Sequence, residues 1–197
     1  MRPAITRKLI ISLALLAALA PAAAMAHPGH PGHEALGLGA GFAHPFTGAD
    51  HMLAMVAVGL WAALRGGRAV WAWPAAFVSA MAVGYAFGQT EALAGTIEPV
   101  VLASVIVLGA LTAAQAKLPL AAGALLIGAC GAAHGYAHGV EAPQRGLGFP
   151  VGFVAATASL HLAGLAAGGL LQRFGRPELI RLLGAGAAAG GLILAVA

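Results

Sequence analysis

The residues of this chain that could do chemistry are histidines and carboxylates standing where apolar residues are expected. They lie in two short motifs, HPFTGADHMLAM and HGYAHGVE, each inside a strongly hydrophobic stretch, and they are His44, Asp50, His51, His134, His138 and Glu141. An ionisable group in a membrane segment costs several kcal/mol and generally faces a cavity, a partner or an ion. Imidazole and carboxylate suit a borderline divalent metal such as nickel, cobalt or zinc. The two motifs therefore predict a path or site for such a metal.

The first motif predicts a broken helix. On a regular helix, His44 and His51 share a face and Asp50 points away from both. Pro45 disfavours helical geometry at His44 and removes a backbone donor, and Gly48 precedes Asp50. A break at HPFTG could bring all three side chains together, as broken helices do at transporter sites. The alternative is a kink with Asp50 capping the helix and two packed histidines.

The second motif needs no break. Cys130, His134, His138 and Glu141 follow one another at steps of four, four and three, so they share one helical face. Two histidines at i and i+4 can hold one metal ion, or can simply pack and form hydrogen bonds between helices. We interpret the pair as ligands and Cys130 as a small packing residue.

Three further residues are candidate accessory ligands: Met55, Glu98 and His161. His161 lies near the middle of a predicted span, and could be a later stop on a metal path or a histidine bonded to a backbone carbonyl. Met55, with Met52, could offer a thioether, although methionine in an apolar helix usually packs in the core. Glu98 could attract cations at a helix end or be an interfacial charge.

The start of the chain resembles a targeting segment. Arg2, Arg7 and Lys8 precede an apolar run of 12 residues, followed by Ala24-Met25-Ala26. This pattern predicts a signal peptide over residues 1–26, cleaved after Ala26, because the run is short for a membrane span. Residues 27–34 then form a His-rich tail outside the membrane, which is either a solvated tether or a loose collector of metal. Its histidines are His27, His30 and His33.

Composition predicts an all-α integral membrane protein. Of 197 residues, 60% are hydrophobic and 8% are charged, far below the roughly 25% charged of soluble domains. Hydropathy predicts a six-helix transmembrane bundle over residues 35–197, with spans near 35–63, 69–88, 93–115, 118–140, 147–172 and 179–197. Repeated pairs of small residues four apart, such as Gly131/Gly135 and Gly164/Gly168, favour close helix packing.

The basic residues predict the orientation. With the mature N-terminus outside, six of them fall in inner loops: Arg65, Arg68, Lys117, Arg173, Arg176 and Arg181. Only Arg145 falls outside, in agreement with the positive-inside rule, so both mature termini are expected in the periplasm. The chain has no basic stripe for nucleic acid, no P-loop, and neither HExxH nor GxSxG.

The motifs HPFTGADH and HGYAHGVEAP resemble the two signature motifs of the HupE/UreJ family. With the signal peptide and six spans, the resemblance covers nearly the whole chain. It implies a nickel permease, or nickel and cobalt permease, of the bacterial inner membrane, associated with hydrogenase or urease maturation. It assigns the metal to the six residues of the two motifs. One departure is Ala133, where the family often has Phe.

The expected function is a secondary transporter, not an enzyme, which carries Ni²⁺ or Co²⁺ as its substrate from periplasm to cytoplasm and holds no permanent cofactor. Its partners would be the lipid bilayer, the cation and the maturation proteins of the recipient enzyme. Two other classes remain open. One is a membrane-embedded zinc hydrolase with Asp50 or Glu141 as general base. The other is a metal sensor or store without transport. Net movement of metal would separate the permease from both.

Overall fold

The described part of the chain, residues 37–90, 92–141 and 146–196 of a computed structural model, is entirely helical. The predicted signal peptide and His-rich tail, with His27, His30 and His33, lie outside the described residues. In chain order the helices are α1 (Leu38–Ala43), α2 (Ala49–Arg65), α3 (Ala69–Gly88), α4 (Ile97–Ala113), α5 (Leu120–Glu141), α6 (Gly148–Arg173) and α7 (Pro177–Val196). A short 3-10 helix, His44–Phe46, lies between α1 and α2.

Four helices are long and apolar enough to cross a membrane by length and composition, namely α3, α5, α6 and α7. The pair formed by Leu38–Phe46 and α2 passes the same test as one segment, but it is bent by 83°. The remaining helix, α4, is apolar but has 17 residues, which is the lower limit for a spanning helix. The all-α membrane class is thus confirmed, whereas a count of six spans stays a prediction.

The helices pack chiefly as three pairs: α3 with α5, α2 with α6, and α4 with α7, while α1 rests on α6. Helix α2 is the centre of the bundle, because it also contacts α3, α4 and α7. The wholly buried aromatic side chains of the core are Trp61, Trp73, Phe77 and Phe153. The indole N–H of Trp61 donates to the carbonyl of Ala116 at 2.9 Å, and that of Trp73 to Leu120 at 3.0 Å. These bonds hold the segment before α5 against α2, and the first residue of α5 against α3.

Glycines set the spacing between α3 and α5. A Cβ added at Gly131, Gly135 or Gly139 would overlap the backbone of α3, and one at Gly84 or Gly88 would overlap the backbone of α5. Small residues allow such close approach, which matters in lipid because burial of apolar surface gives little driving force there. The small-residue spacing seen in the sequence therefore lies at a real helix interface. It also explains how α5 brings its histidines deep into the bundle.

Replacing Gly135 by Ala is expected to destabilise the protein strongly. The new methyl group would overlap the carbonyl oxygen of Met81, and overpacking of this kind costs about 1–3 kcal/mol, or more when backbone must move. Gly128→Ala is the matched control on the same helix, because its nearest neighbour, the carbonyl oxygen of Ala76, is 3.7 Å away. Thermal unfolding in detergent should show a lowered Tm for Gly135→Ala alone. Equal Tm values for the two variants would contradict this packing.

The break between α1 and α2 lies within HPFTG. Pro45 is buried in the 3-10 helix, and the carbonyl of His44 accepts hydrogen bonds from both the N–H and the hydroxyl of Thr47, at 3.0 and 2.7 Å. Gly48 then takes an extended conformation before α2 begins. A Cβ at Gly48 would lie 2.8 Å from Asp50 Oδ1 and from His51 Nδ1, so a larger residue there would force this pair to shift. The break expected from Pro45 and Gly48 is therefore present.

Candidate metal centre

The two motifs meet at the C-terminal end of α5. His44 Nε2 lies 2.9 Å from His138 Nδ1 although the residues are 94 positions apart in the chain. Glu141 Oε2 lies 3.7 Å from His44 Nε2 and 3.5 Å from His138 Nδ1. The bend after the 3-10 helix carries His44 to α5, and the i, i+3 spacing places Glu141 beside His138. These three side chains, His44, His138 and Glu141, form what we call the outer cluster.

The outer cluster has the dimensions of a cation site. Its three donor atoms form a triangle with edges of 2.9, 3.5 and 3.7 Å. A point equidistant from all three therefore lies about 2.0 Å from each, which matches the roughly 2.0–2.2 Å of zinc bonds to imidazole and carboxylate. Three protein donors leave further coordination positions for water or for another ligand. The geometry thus suits a partly hydrated divalent cation.

The outer cluster is open on one side and closed by aromatic rings on another. The side chains of His44 and Glu141 are 33% and 59% exposed, whereas that of His138 is 2% exposed. Phe149 lies against His44, with ring centroids 5.3 Å apart, and Phe153 against His138 at 4.2 Å. An ion can therefore approach past Glu141 and meets an apolar wall behind His138.

Asp50 and His51 form a second arrangement behind the outer cluster. The His51 Nδ1–H donates to Asp50 Oδ1 at 2.7 Å, and the backbone N–H of His51 donates to the same oxygen at 2.8 Å. A proton on Nδ1 leaves the lone pair on Nε2, which is buried without a hydrogen-bond partner among the described residues. Carboxylates orient metal-binding histidines in this way. Asp50 thus lies behind His51, whereas His44 turns towards α5.

His134 is held by a serine of α4. The hydroxyl of Ser104 donates to the carbonyl of Val101 at 2.7 Å, and its oxygen lies 2.8 Å from His134 Nε2. Because the hydroxyl has one proton, its oxygen must accept from the His134 Nε2–H. The lone pair of His134 is then on Nδ1, which has no partner in the described part of the chain although the residue is wholly buried. A second imidazole is thus fixed with its donor atom free.

The rings form a continuous series from the outer cluster into the bundle. Centroid distances are 4.6 Å from His44 to His138, 4.2 Å from His138 to His51, and 4.8 Å from His51 to His134. Relative exposure is 9% at His51, 2% at His138 and zero at His134. The four histidines of the two motifs therefore form one series of ring contacts, which runs from the partly exposed His44 to the wholly buried His134. The two motifs are parts of one constellation.

The accessory candidates lie elsewhere. Met55 is wholly buried in the apolar core, and Cys130 belongs to the same cluster, so both pack as apolar side chains. Glu98 is exposed in the first turn of α4. His161 is wholly buried in α6, and neither of its ring nitrogens has a hydrogen-bond partner within the described ranges. Of the two alternatives that the sequence leaves open for His161, a hydrogen bond to a backbone carbonyl is therefore not seen among the described residues.

Sequence reasoning missed Ser104, Phe77 and Phe153. Ser104 was detectable in principle, because it is a polar side chain within a strongly apolar helix. Phe77 and Phe153 carry no such signal. The ring of Phe77 lies 5.6 Å from His134 and 5.0 Å from His161, and only the assembled bundle shows this.

The fold and the imidazole–carboxylate constellation are those of a multi-pass membrane protein whose side chains could hold a metal ion. Within that class the chain belongs to the HupE/UreJ family, because the sequence profile described as HupE / UreJ protein matches residues 13–194. A curated relative, Protein HupE of Rhizobium leguminosarum bv. viciae, is 42% identical over 161 residues, which cover 80% of this chain and 83% of the relative. No solved structure matches the chain.

Proposed function

We propose that this protein is a secondary permease that moves Ni²⁺, and also Co²⁺, from the periplasm to the cytoplasm. The observation that carries the proposal is the outer cluster, in which His44, His138 and Glu141 present three donor atoms at cation-binding distances. Imidazole and carboxylate donors suit a borderline divalent cation. Nickel and cobalt are the metals that membership of the family implies. The recipient would be a hydrogenase or urease under maturation.

Capture begins at the exposed side of the outer cluster. The Glu141 carboxylate, 59% exposed, attracts the hydrated cation, and His44 and His138 replace part of its water. Asp50 supplies a second negative charge close by through its bond to His51. Two carboxylates offset the two positive charges of the ion, which lowers the cost of bringing it into a low-dielectric region.

Transfer inward follows the free nitrogens of the two motifs. His51 Nε2 and His134 Nδ1 are both unpartnered among the described residues, and their rings follow His138 in the series. Several weak stations in succession let an ion enter and also leave, which conduction requires. The membrane potential would supply about 2.3 kcal/mol per elementary charge per 100 mV.

The protein would lie in the bacterial inner membrane with six spans and both mature termini in the periplasm. Glu141 would then be at the outer end of α5. The distribution of basic residues between loops supports this orientation, with six on the proposed inner side. A signal peptide over residues 1–26 would place the N-terminal tail on the same outer side. There His27, His30 and His33 would collect metal loosely, and Glu98, exposed at the start of α4, would add negative charge.

The test of this function is uptake of radiolabelled nickel by a transport-deficient bacterial host that expresses the chain. Saturable uptake above the empty host, lost in both His44→Ala and His134→Ala at matched membrane abundance, is the expected result. Uptake no better than that of the empty host, at normal abundance, would remove the nickel assignment. Cobalt, zinc and the hydrolase alternative would then be tested first.

Uptake is also expected to fall as the external pH decreases below about pH 6. A histidine binds metal only as neutral imidazole, and an ordinary imidazole gains its proton near pH 6.5. A protonated imidazole in the capture site would both lose its donor lone pair and repel the cation. Initial uptake rates measured at constant free nickel between about pH 7.5 and about pH 5 would show the decline. A rate that stays constant over this range would contradict capture by histidine.

A further inference from the structure

His161 is a buried imidazole that the proposed path does not use. It lies 13 residues after Gly148 in a helix of 26 residues, and so about 20 Å along α6, near its middle. Its relative exposure is zero, and both ring nitrogens are without a hydrogen-bond partner in the described part of the protein. A neutral imidazole carries one N–H donor and one acceptor, so both are buried unsatisfied.

Such a histidine costs stability. Leaving a buried donor or acceptor without a partner destabilises the fold, and an apolar side chain of similar volume would avoid that cost. Close packing holds the residue in place, because Gly59 of α2 approaches the backbone carbonyl of His161 so tightly that a Cβ there would overlap it. Stability therefore gives no reason for histidine at this position, whereas a ligand would.

The position of His161 continues the series of rings. The wholly buried ring of Phe77 contacts the rings of both His134 and His161, with centroid distances of 5.6 and 5.0 Å. The two histidines can be no farther apart than these distances added together. His161 thus follows His134 across a single aromatic side chain, whose π face can attract a partly dehydrated cation.

We propose that His161 is an inner metal-binding station, which takes the divalent cation from His134 past Phe77 and releases it towards the cytoplasmic side. This inference rests on the proposed function and extends it. Within the described residues no carboxylate bonds or pairs with His161. The ion would be held there by imidazole and its remaining water, more weakly than in the outer cluster. Weak binding at the last station favours release.

Replacing His161 by Leu tests the station through transport kinetics. Leucine fills a similar volume and removes the unsatisfied polar atoms, so we expect an unchanged or higher Tm in detergent. Nickel uptake should fall at least tenfold in maximal rate while the KM, set by the outer cluster, changes little. A purely structural His161 predicts wild-type uptake instead, and that result would overturn the proposal.

Replacing His161 by Cys tests occupancy directly, in a Cys130→Ala background that leaves one thiol. Purified protein titrated with Co²⁺ should develop a thiolate-to-cobalt charge-transfer band in the near ultraviolet. The control is Ser159→Cys in the same background, because Ser159 is exposed on the same helix and donates to the carbonyl of Ala155. A band at position 161 alone supports the station. No band at 161, or equal bands at both positions, would overturn it.

These outcomes are distinguishable from failure of the proposed function. If the wild-type protein takes up nickel but the His161 variants behave as structural substitutions, only the inner station is wrong. If the wild-type protein shows no uptake, the permease is wrong, and the cobalt band still decides whether metal reaches His161.

Discussion

Replacing His138 by Leu should reduce nickel uptake at subsaturating concentration at least about 100-fold, to the level of the empty host. His138 Nδ1 is within 3.5 Å of both other donors of the outer cluster, and its ring also contacts His51. The substitution therefore removes a proposed ligand and also interrupts the series of rings. Leucine keeps most of the side-chain volume, so the bundle should still fold. Uptake assays at matched membrane abundance measure the effect.

Cys130→Ala is the matched control for His138→Leu. Cys130 lies two turns earlier on the same face of α5, but it packs in the apolar core and holds no position in the series of rings. Uptake by this variant should remain within about twofold of wild type. The outer cluster would be contradicted if His138→Leu kept half of the wild-type uptake, or if both variants lost uptake equally.

Replacing Asp50 by Asn should weaken the apparent affinity for nickel by about 10–100-fold, which is the usual effect of removing a carboxylate behind a metal-binding histidine. The neutral amide no longer fixes the proton on His51 Nδ1. The alternative proton position, on Nε2, blocks the nitrogen that faces the path. We expect a raised KM with a smaller change in maximal rate, from uptake measured over a range of nickel concentrations.

Thr47→Val is the neighbouring control for Asp50→Asn. The hydroxyl of Thr47 is exposed and donates to the carbonyl of His44 within the break, so its removal should change uptake little. An unchanged affinity in Asp50→Asn would contradict the orienting role of Asp50. Complete loss of uptake would indicate instead that Asp50 contacts the metal itself.

Sequence alone predicted the helices well, because each is a long apolar run bounded by charged or turn residues. The predicted span 69–88 coincides with α3, and 118–140 and 147–172 differ from α5 and α6 by at most two residues at either end. The predicted span 93–115 is longer than α4, Ile97–Ala113, because Thr96 and the preceding residues form turns. Hydropathy cannot distinguish an apolar turn from the end of an apolar helix.

The identities of the site residues were also readable, since ionisable groups in apolar helices are costly and therefore conspicuous. Their partners were not. Spacing on α5 shows that His134 and His138 share a face, but it cannot show that His134 bonds to Ser104 or that His44 reaches His138. Those contacts depend on the 83° bend and on glycine-mediated approach of helices distant in sequence. The proposed role of His161 follows from its tertiary contact with Phe77, whereas that of Asp50 follows from its hydrogen bonds to the adjacent His51.

The most direct test of the account is transport by the purified protein in liposomes with an imposed inside-negative potential. For a permease, radiolabelled nickel should accumulate inside over time, well beyond one ion per protein, and a divalent-cation ionophore should release it. Liposomes carrying His44→Leu and His138→Leu together should accumulate no more nickel than empty liposomes. Nickel that binds at a fixed ratio to the wild-type protein and never enters the lumen would contradict a permease and support a sensor or store.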